Sequence, residues 1–156
     1  MEIKEIVKKI ENSLVYKQWK EKNSDFYLVH LFFDDNPPQV GYYSPKKDSI
    51  VTFVADDEVT MNPESEVFKE KKIIKELVLS DVKLDIAQIN QKTKNFISEN
   101  YKNELLSKNI LVLQVLENNA IYNLTYFTKA FKTLNIKVDA KNGEIVSHEL
   151  SNLIGL

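Results

Sequence analysis

The chain lacks two residue types that carry much of protein chemistry. Its 156 residues include no Cys, and all 21 of its Lys or Arg positions are Lys. Without Cys it has no disulfide, no thiolate zinc ligand and no cysteine nucleophile. Without Arg it lacks the planar donor that binds phosphates and guanine edges in a bidentate way. Together with a net charge of -2, this composition argues against a nucleic-acid partner.

Long apolar runs are also missing. Charged residues interrupt every apolar stretch well before the roughly 18 residues that a membrane-spanning helix needs. The N-terminal Met-Glu-Ile-Lys-Glu lacks the uninterrupted apolar core of a signal peptide. We therefore expect a soluble, cytoplasmic protein without a membrane span, or an exported one if a leader has been removed. The content of 43% hydrophobic and 28% charged residues is typical of a globular protein.

An apolar pattern near the N-terminus recurs 83 residues later without a gap. Positions 3, 6, 10 and 14, all Ile or Leu, match Ile86, Ile89, Thr93 and Ile97, and residues 27–36 match residues 110–119. The same offset relates Tyr43 to Tyr126. Tandem use of one supersecondary unit produces such a repeat. We predict an α+β fold with two tandem units, residues 1–79 and 80–156, either separate or fused into one globular domain.

The first unit is predicted to begin with one amphipathic helix over residues 2–20. Its apolar residues recur at helical spacing and include Leu14 and Val15. Strands are expected over residues 27–33, 39–44 and 50–55, because β-branched and aromatic residues alternate there between turn clusters rich in Asp, Asn and Pro. Residues 61–72 are predicted as a loop or a single helical turn. A strand over residues 73–84 is expected to end the unit.

The second unit is predicted to repeat this order. A helix over residues 86–103, capped by Asp85 or Ser80, precedes strands over 110–116, 121–127, 131–140 and 145–150. Asn118 and Asn119 are expected in a tight turn. Asn142 and Gly143 predict a type I′ hairpin turn, because both tolerate the positive φ that it requires.

The C-terminal hairpin resembles the signature of the PepSY domain family. Residues 136–145 read Ile-Lys-Val-Asp-Ala-Lys-Asn-Gly-Glu-Ile, and the family has a strand that ends in Asp-Ala-x-x-Gly-Glu before it turns back. The resemblance implies a helix packed on an antiparallel sheet, cystatin-like in general shape, over residues 80–150, with residues 1–79 as a degenerate copy. The first copy departs from the signature, because its residues 54–59 contain no Gly. The resemblance also implies a non-catalytic inhibitory or binding role, as in propeptides and cell-envelope proteins.

Candidate catalytic and metal-binding residues are few. The two histidines are His30, in a predicted strand beside Leu28 and Phe32, and His148, and neither has a second His or a carboxylate at chelating spacing. The acidic clusters at 34–36 and 56–58 lack the Gly and the further acids of a calcium-binding loop. We therefore predict no enzyme, no cofactor and no metal site. An enzyme would instead need a polar pocket with shifted carboxylates around His30 or His148.

The first strand of each unit is predicted to be apolar on both faces. Tyr27, Val29, Leu31 and Phe33 alternate with Leu28 and Phe32, and residues 110–116 are apolar in the same way. A helix covers one face, so the other must meet the second unit, a second copy of the chain, or a ligand.

Two non-enzymatic functions follow from this apolar face. The first is a binding or inhibitory module that engages a protein segment, or a second copy as a homodimer, through a sheet face or edge. The second is a protein that holds a small apolar ligand between sheet and helix, lined by Phe32, Tyr43, Val115 and Tyr126.

Overall fold

The computed structural model describes residues 2–66 and 73–153. The chain divides into two compact units, Met1–Leu79 and Ser80–Leu156. Three α-helices and nine strands occur in the described ranges, and every strand pairing within a unit is antiparallel. The fold is therefore α+β. Residues 67–72, the second half of the predicted loop, lie outside the described residues.

Unit 1 begins with two helices where one was predicted. Helix α1 spans Ile3–Glu11 and α2 spans Leu14–Glu21. Ser13 separates them, because its Oγ accepts a hydrogen bond from the Tyr16 amide at 3.3 Å and donates one to the Ile10 carbonyl at 2.6 Å. A serine favours such a cap over a helix interior. The prediction of one continuous apolar stripe was wrong at Leu14, which is 70% exposed.

The strands of unit 1 form a meander. Strands β1 (Tyr27–Phe33), β2 (Gln39–Ser44) and β3 (Ser49–Ala55) agree with the prediction, and β4 (Val59–Met61) and β5 (Ser65–Glu66) are short. Their order is β4-β3-β2-β1, with β5 also paired to β3. The predicted loop over residues 61–72 was therefore wrong at Met61, which ends β4, and at residues 65–66, which form β5, whereas residues 62–64 have no regular secondary structure.

A bulge in β1 decides which side chains meet the helices. Leu28 lies opposite Tyr42 and His30 lies opposite Gly41, so Val29 has no partner in β2. An extra residue reverses the alternation of side chains. Leu28 therefore shares a face with Leu31, and His30 points to the other face. The predicted alternation along β1 was wrong, since it placed these two leucines on opposite faces.

The helix-facing side of this sheet carries an aromatic core. The Tyr16 ring lies 5.2 Å from the Tyr42 ring, and Trp19 lies 5.1 Å from Phe53 and 4.9 Å from Phe26, measured between ring centroids. Tilted and edge-on contacts of this kind are favourable for aromatic pairs. Helix α1 completes the core by burying four aliphatic side chains. These are Ile3, Ile6, Val7 and Ile10.

Residues 73–78 have no regular secondary structure, and a 3₁₀ turn follows at Leu79–Asp81. The predicted strand over 73–84 was therefore wrong. This segment is anchored at Leu77, which is buried and whose amide donates to the Leu28 carbonyl at 2.8 Å. Ile73 and Val78 remain exposed. The Ile74 carbonyl also accepts a hydrogen bond from the Tyr27 hydroxyl, but Leu77 is the one buried residue of this segment, which is not the alternating burial of a strand.

Unit 2 places one helix on a four-stranded meander. Helix α3 spans Ile86–Asn100, and Asp85, one of the two predicted caps, begins it. The Asp85 carboxylate accepts from the Gln88 amide, and the Gln88 side chain accepts from the Asp85 amide, both at 2.9 Å. Strands β6 (Leu106–Leu116), β7 (Asn119–Thr128), β8 (Lys132–Asp139) and β9 (Ile145–Asn152) pair in chain order. The helix ends three residues before its predicted end, and β6 begins four residues before the predicted strand.

The type I′ turn lies at a different hairpin from the predicted one. Glu117 and Asn118, between β6 and β7, have φ of 48° and 71°, and positive φ at both central residues defines that turn. Between β8 and β9 only Gly143 has a positive φ, of 79°. There the Asp139 carboxylate accepts from the amides of Lys141 and Asn142, at 2.8 and 3.1 Å. Hydrogen bonds to the Asp139 side chain therefore hold this turn, in place of the predicted type I′ turn.

Candidate functional site

Two of the predicted lining residues, Phe32 and Tyr43, lie on the face of the unit 1 sheet that points away from α1 and α2. Phe32 pairs with Gln39, and Tyr43 pairs with Tyr27, on the side opposite to the Tyr42 ring. Tyr43 is 1% exposed and its hydroxyl donates to Asp48 Oδ1 at 2.6 Å. Burial and that hydrogen bond raise the pKa of Tyr43 to about 12. The predicted position between sheet and helix was therefore wrong for this pair.

The other two, Val115 and Tyr126, lie on the face of the unit 2 sheet that meets α3. The Tyr126 hydroxyl is 2.9 Å from Thr93 Oγ1, and burial raises its pKa. It lines a depression of about 280 Å³ beside α3. Val115 pairs with Ala120 in β7. Ala120 precedes Tyr126 by six residues in that strand, so Val115 and Tyr126 are roughly 20 Å apart along the strand direction. The two residues do not line a common pocket.

A cleft of about 430 Å³ lies in unit 1 between α1, α2, the sheet and residues 76–79. Half of its twelve lining residues are apolar, and the polar ones are Glu11, Tyr16, Lys20, Tyr27, Tyr42 and Glu76. The Tyr42 hydroxyl donates to Glu11 Oε1 at 3.4 Å. Burial, together with the neighbouring Glu11 carboxylate, raises the pKa of Tyr42 and raises that of Tyr16 to about 12. Both hydroxyls therefore stay protonated at neutral pH and act as hydrogen-bond donors.

The face of unit 2 that points away from α3 carries a polar network. Asn135 Nδ2 donates to Asn123 Oδ1 at 2.6 Å and to Thr125 Oγ1 at 3.1 Å, and Lys137 Nζ donates to Asn135 Oδ1 at 3.0 Å. A groove of about 450 Å³ beside it is lined by Lys137, Val146 and the β6–β7 hairpin. Because the network's polar atoms bind one another, they are not directed at a ligand.

Strand β9 is the outer strand of the unit 2 sheet, next to β8. The Leu153 amide donates to the Phe131 carbonyl at 2.9 Å, one residue beyond the pair Lys132 and Asn152. Hydrogen-bonded pairs alternate along an antiparallel ladder. The amides and carbonyls of residues 147, 149 and 151 therefore face β8, and those of His148 and Leu150 face outward.

The exposure and composition of β9 leave this edge open. Six of its eight residues are exposed. The strand contains neither Lys nor Pro, which are the residues that commonly block sheet edges. Its one irregularity is a bulge near Ile145, where the register with β8 shifts. Over residues 147–152 its register with β8 is unbroken, so His148 and Leu150 lie in a regular part of the strand.

The two histidines have different surroundings. His30 is half-buried against Gly41, and burial lowers its pKa. His148 is exposed, with its Nδ1 2.6 Å from the Tyr101 hydroxyl and its ring 4.9 Å from that of Phe96. Neither arrangement is a nucleophile paired with a base and an orienting acid. Within residues 2–66 and 73–153, no group of three His, Asp or Glu side chains has the proximity to hold a metal ion.

None of the helices in the described part of the chain combines the length and the apolarity that a membrane crossing requires.

Comparison with known proteins gives one informative result. No known family model matches the chain, and no curated protein sequence matches it. A crystal structure of a "putative lipoprotein" from Clostridium difficile 630 is similar, with a TM-score of 0.56 and 17% identity over 88% of this chain and 90% of that chain. The two proteins share a fold. At this identity the similarity carries no information about function.

Proposed function

We propose that the protein is a non-enzymatic binding module that holds an extended protein segment against β9. The observation that carries this proposal is the outer strand of unit 2, where the amides and carbonyls of His148 and Leu150 face away from β8. A segment that adds as a further strand binds mainly through main-chain hydrogen bonds. Such binding needs no special side chains, which agrees with a sequence that contains no catalytic or ligand-binding motif.

The side chains of β9 supply the specificity that main-chain pairing lacks. Ser147, Glu149 and Ser151 lie on one face of the sheet, and His148 and Leu150 lie on the other. Alternate side chains of an added strand would meet one set or the other. We expect the bound segment to carry a basic residue opposite Glu149 and apolar residues beside Leu150, because unlike charges and apolar pairs stabilise neighbouring strands.

The test compares Leu150→Pro with Leu150→Ala. Both remove the Leu150 side chain, but only proline removes the outward amide, and neither changes a hydrogen bond to β8. Peptides selected from a displayed random library would be titrated into wild type and both variants. We expect Leu150→Pro to weaken binding about tenfold relative to Leu150→Ala, the effect of one lost hydrogen bond.

Amide hydrogen exchange locates the bound peptide. In the wild type, the His148 and Leu150 amides should become protected when the peptide binds. Equal affinity of the two variants, or protection confined to other strands, would reject the edge as the binding site.

A second candidate function is the binding of a small apolar ligand in the unit 1 cleft. Its volume of about 430 Å³ falls within the usual range of ligand pockets, about 300–1,000 Å³. Trp19, the single Trp of the chain, packs against Phe26 and Tyr42, two residues that line this cleft, so its fluorescence is sensitive to a nearby bound dye. Energy transfer from Trp19 to the dye anilinonaphthalene sulfonate would measure occupancy.

The variants for the cleft fill its mouth. Val78→Phe should weaken dye binding, because Val78 lines the cleft and is 45% exposed. Val146→Phe is the matched control on unit 2, where Val146 is 51% exposed. An equal effect of the two changes would count against a specific site.

We also infer that the two units derive from one repeated unit and that unit 2 is PepSY-like. In each unit a helix precedes an antiparallel meander, and the signature residues 136–145 form the hairpin between β8 and β9. The constant offset of 83 does not hold in the second strand of each unit, β2 and β7. Tyr43 points away from the helices of unit 1, whereas Tyr126, its partner at that offset, points toward the helix of unit 2. The PepSY resemblance and the name of the structural neighbour favour export over the cytoplasmic location expected from the sequence.

A further inference from the structure

One end of the unit 2 sheet presents three large apolar side chains to solvent. Leu105, Phe131 and Leu153 are 66%, 67% and 52% exposed. Backbone hydrogen bonds hold them at the same end, since the Lys129 amide donates to the Leu105 carbonyl and the Leu153 amide donates to the Phe131 carbonyl, at 2.8 and 2.9 Å. These three residues define the apolar end of unit 2.

Phe131 is held there in an unfavourable backbone conformation. Its φ is 58°, in the left-handed region that residues with bulky side chains rarely adopt. Thr128 fixes the loop, because its Oγ1 accepts from the amides of Ala130 and Lys132 at 3.3 and 3.0 Å. Gly or Asn would meet the geometric requirement of this loop at lower cost. An exposed aromatic residue in a strained position indicates a role outside the folded core.

The charges around the apolar end are mainly positive. Lys102, Lys108 and Lys129 are exposed there, and Lys108 Nζ lies 5.5 Å from the centroid of the Phe127 ring. Lys132 is paired with Glu104 at 3.4 Å, and the Glu104 side chain is only 15% exposed. The other acid nearby in the chain is Glu99, in the last turn of α3. The apolar end is therefore surrounded by lysines whose charge Glu104 does not neutralise.

We propose that the apolar end of unit 2 docks onto an anionic lipid surface. Phe131, Leu105 and Leu153 enter the interfacial layer, and the three lysines contact the headgroups. Aromatic and leucine side chains favour this layer, and each lysine near an anionic surface strengthens binding roughly fivefold. A protein partner fits less well, because lysine is depleted from protein interfaces.

The experiment measures sedimentation of the full chain with vesicles. Vesicles of phosphatidylcholine with about 30% phosphatidylglycerol are compared with phosphatidylcholine alone, at low and high salt. We expect the wild type to bind the anionic vesicles more tightly, and we expect added salt to weaken that binding because it screens the lysines.

The decisive variant is Phe131→Asn. Asparagine tolerates the left-handed conformation, so the melting temperature should be unchanged or higher while vesicle binding falls about tenfold. Lys129→Glu should weaken binding about fivefold or more. The controls are Leu14→Asn and Lys17→Glu, which change exposed residues of unit 1 and should leave vesicle binding unchanged.

Three results would overturn the proposal. The first is an absence of wild-type binding to anionic vesicles. The second is an equal loss of binding in Phe131→Asn and Leu14→Asn. The third is a wild type that does not bind vesicles but forms a dimer in analytical ultracentrifugation, with Phe131→Asn abolishing that dimer. This result would assign the apolar end to protein contact. None of these results bears on the pairing of a peptide with β9.

Discussion

Gly41 in β2 lies so close to His30 in β1 that a side chain at position 41 has no room. A Cβ built on Gly41 would lie 2.3, 2.5 and 2.7 Å from three atoms of the His30 ring. All three distances are below 3.0 Å, the limit that real Cβ atoms respect. A Gly41→Ala variant must therefore displace the whole ring from its half-buried position on the sheet.

The size of the effect follows from overpacking. Forcing one methyl group into an occupied site costs about 1–3 kcal/mol. We expect about 2 kcal/mol, because the His30 ring is only half-buried and lies on the face away from α1 and α2, where it can shift. His30→Ala removes the obstacle. In the double variant the clash is absent, and Ala at position 41 regains roughly 0.5–1 kcal/mol over Gly within a strand. The double variant should therefore be more stable than Gly41→Ala alone.

Urea denaturation followed by Trp19 fluorescence measures this double-mutant cycle. Trp19 is suited to the measurement, because it contacts Phe26 and Phe53 in the core of unit 1. The reasoning is refuted if Gly41→Ala is as stable as the wild type, or if adding His30→Ala leaves the loss unchanged.

Two further predictions concern unit 1. Burial lowers the pKa of His30 below its ordinary 6.5, so the unfolded chain binds a proton more readily than the folded protein does. The free energy of unfolding should therefore decrease as pH falls from 6.5 toward the folded-state pKa. Urea midpoints across this range should fall less in His30→Ala. Ile10→Ala should cost about 2–5 kcal/mol and Leu14→Ala less than about 0.5 kcal/mol, because Ile10 is 0% and Leu14 70% exposed. Equal losses in thermal unfolding would contradict the helix break at Ser13.

Strands β1, β2 and β3 of unit 1 could be predicted because their signals are local. Residues 27–33 and 39–44 are apolar and aromatic runs bounded by Asp, Asn and Pro, and β1 and β2 have these bounds. The start of α3 was predictable for the same reason, since Asp85 and Gln88 stand at the spacing of a capping box. Short-range chemistry alone determines these boundaries.

The helix break and the bulge are harder to predict, because each depends on a competition between two local structures. A serine such as Ser13 can lie inside a helix or cap one, and here its hydrogen bonds to Tyr16 and Ile10 stabilise the cap. The bulge at Val29 has no distinguishing residue type, yet it determines which side chains of β1 meet the helices. The turn at Glu117 shows the same limit, since glutamate does not signal a type I′ turn.

The candidate sites could not be predicted, because they depend on strand order and facing rather than on residue type. Aromatic residues such as Phe32 and Tyr43 were recognisable in the sequence, but the pairing of β1 with β2 sets their face. The outward amide of Leu150 follows only from the register between β8 and β9. Backbone groups at an edge leave no mark in the sequence beyond the absence of Lys and Pro.

The two units differ in what they leave open to a partner. In unit 1 the aromatic side chains of α2 pack on Tyr42 and Phe53, so the helix-facing side is filled from within the unit. In unit 2 a single helix covers one face, and both the edge of β9 and the end at Phe131 remain accessible. The Leu150 amide points sideways from the sheet, whereas Phe131 lies where the strands end. Leu150→Pro and Phe131→Asn therefore separate peptide pairing from lipid docking within one unit.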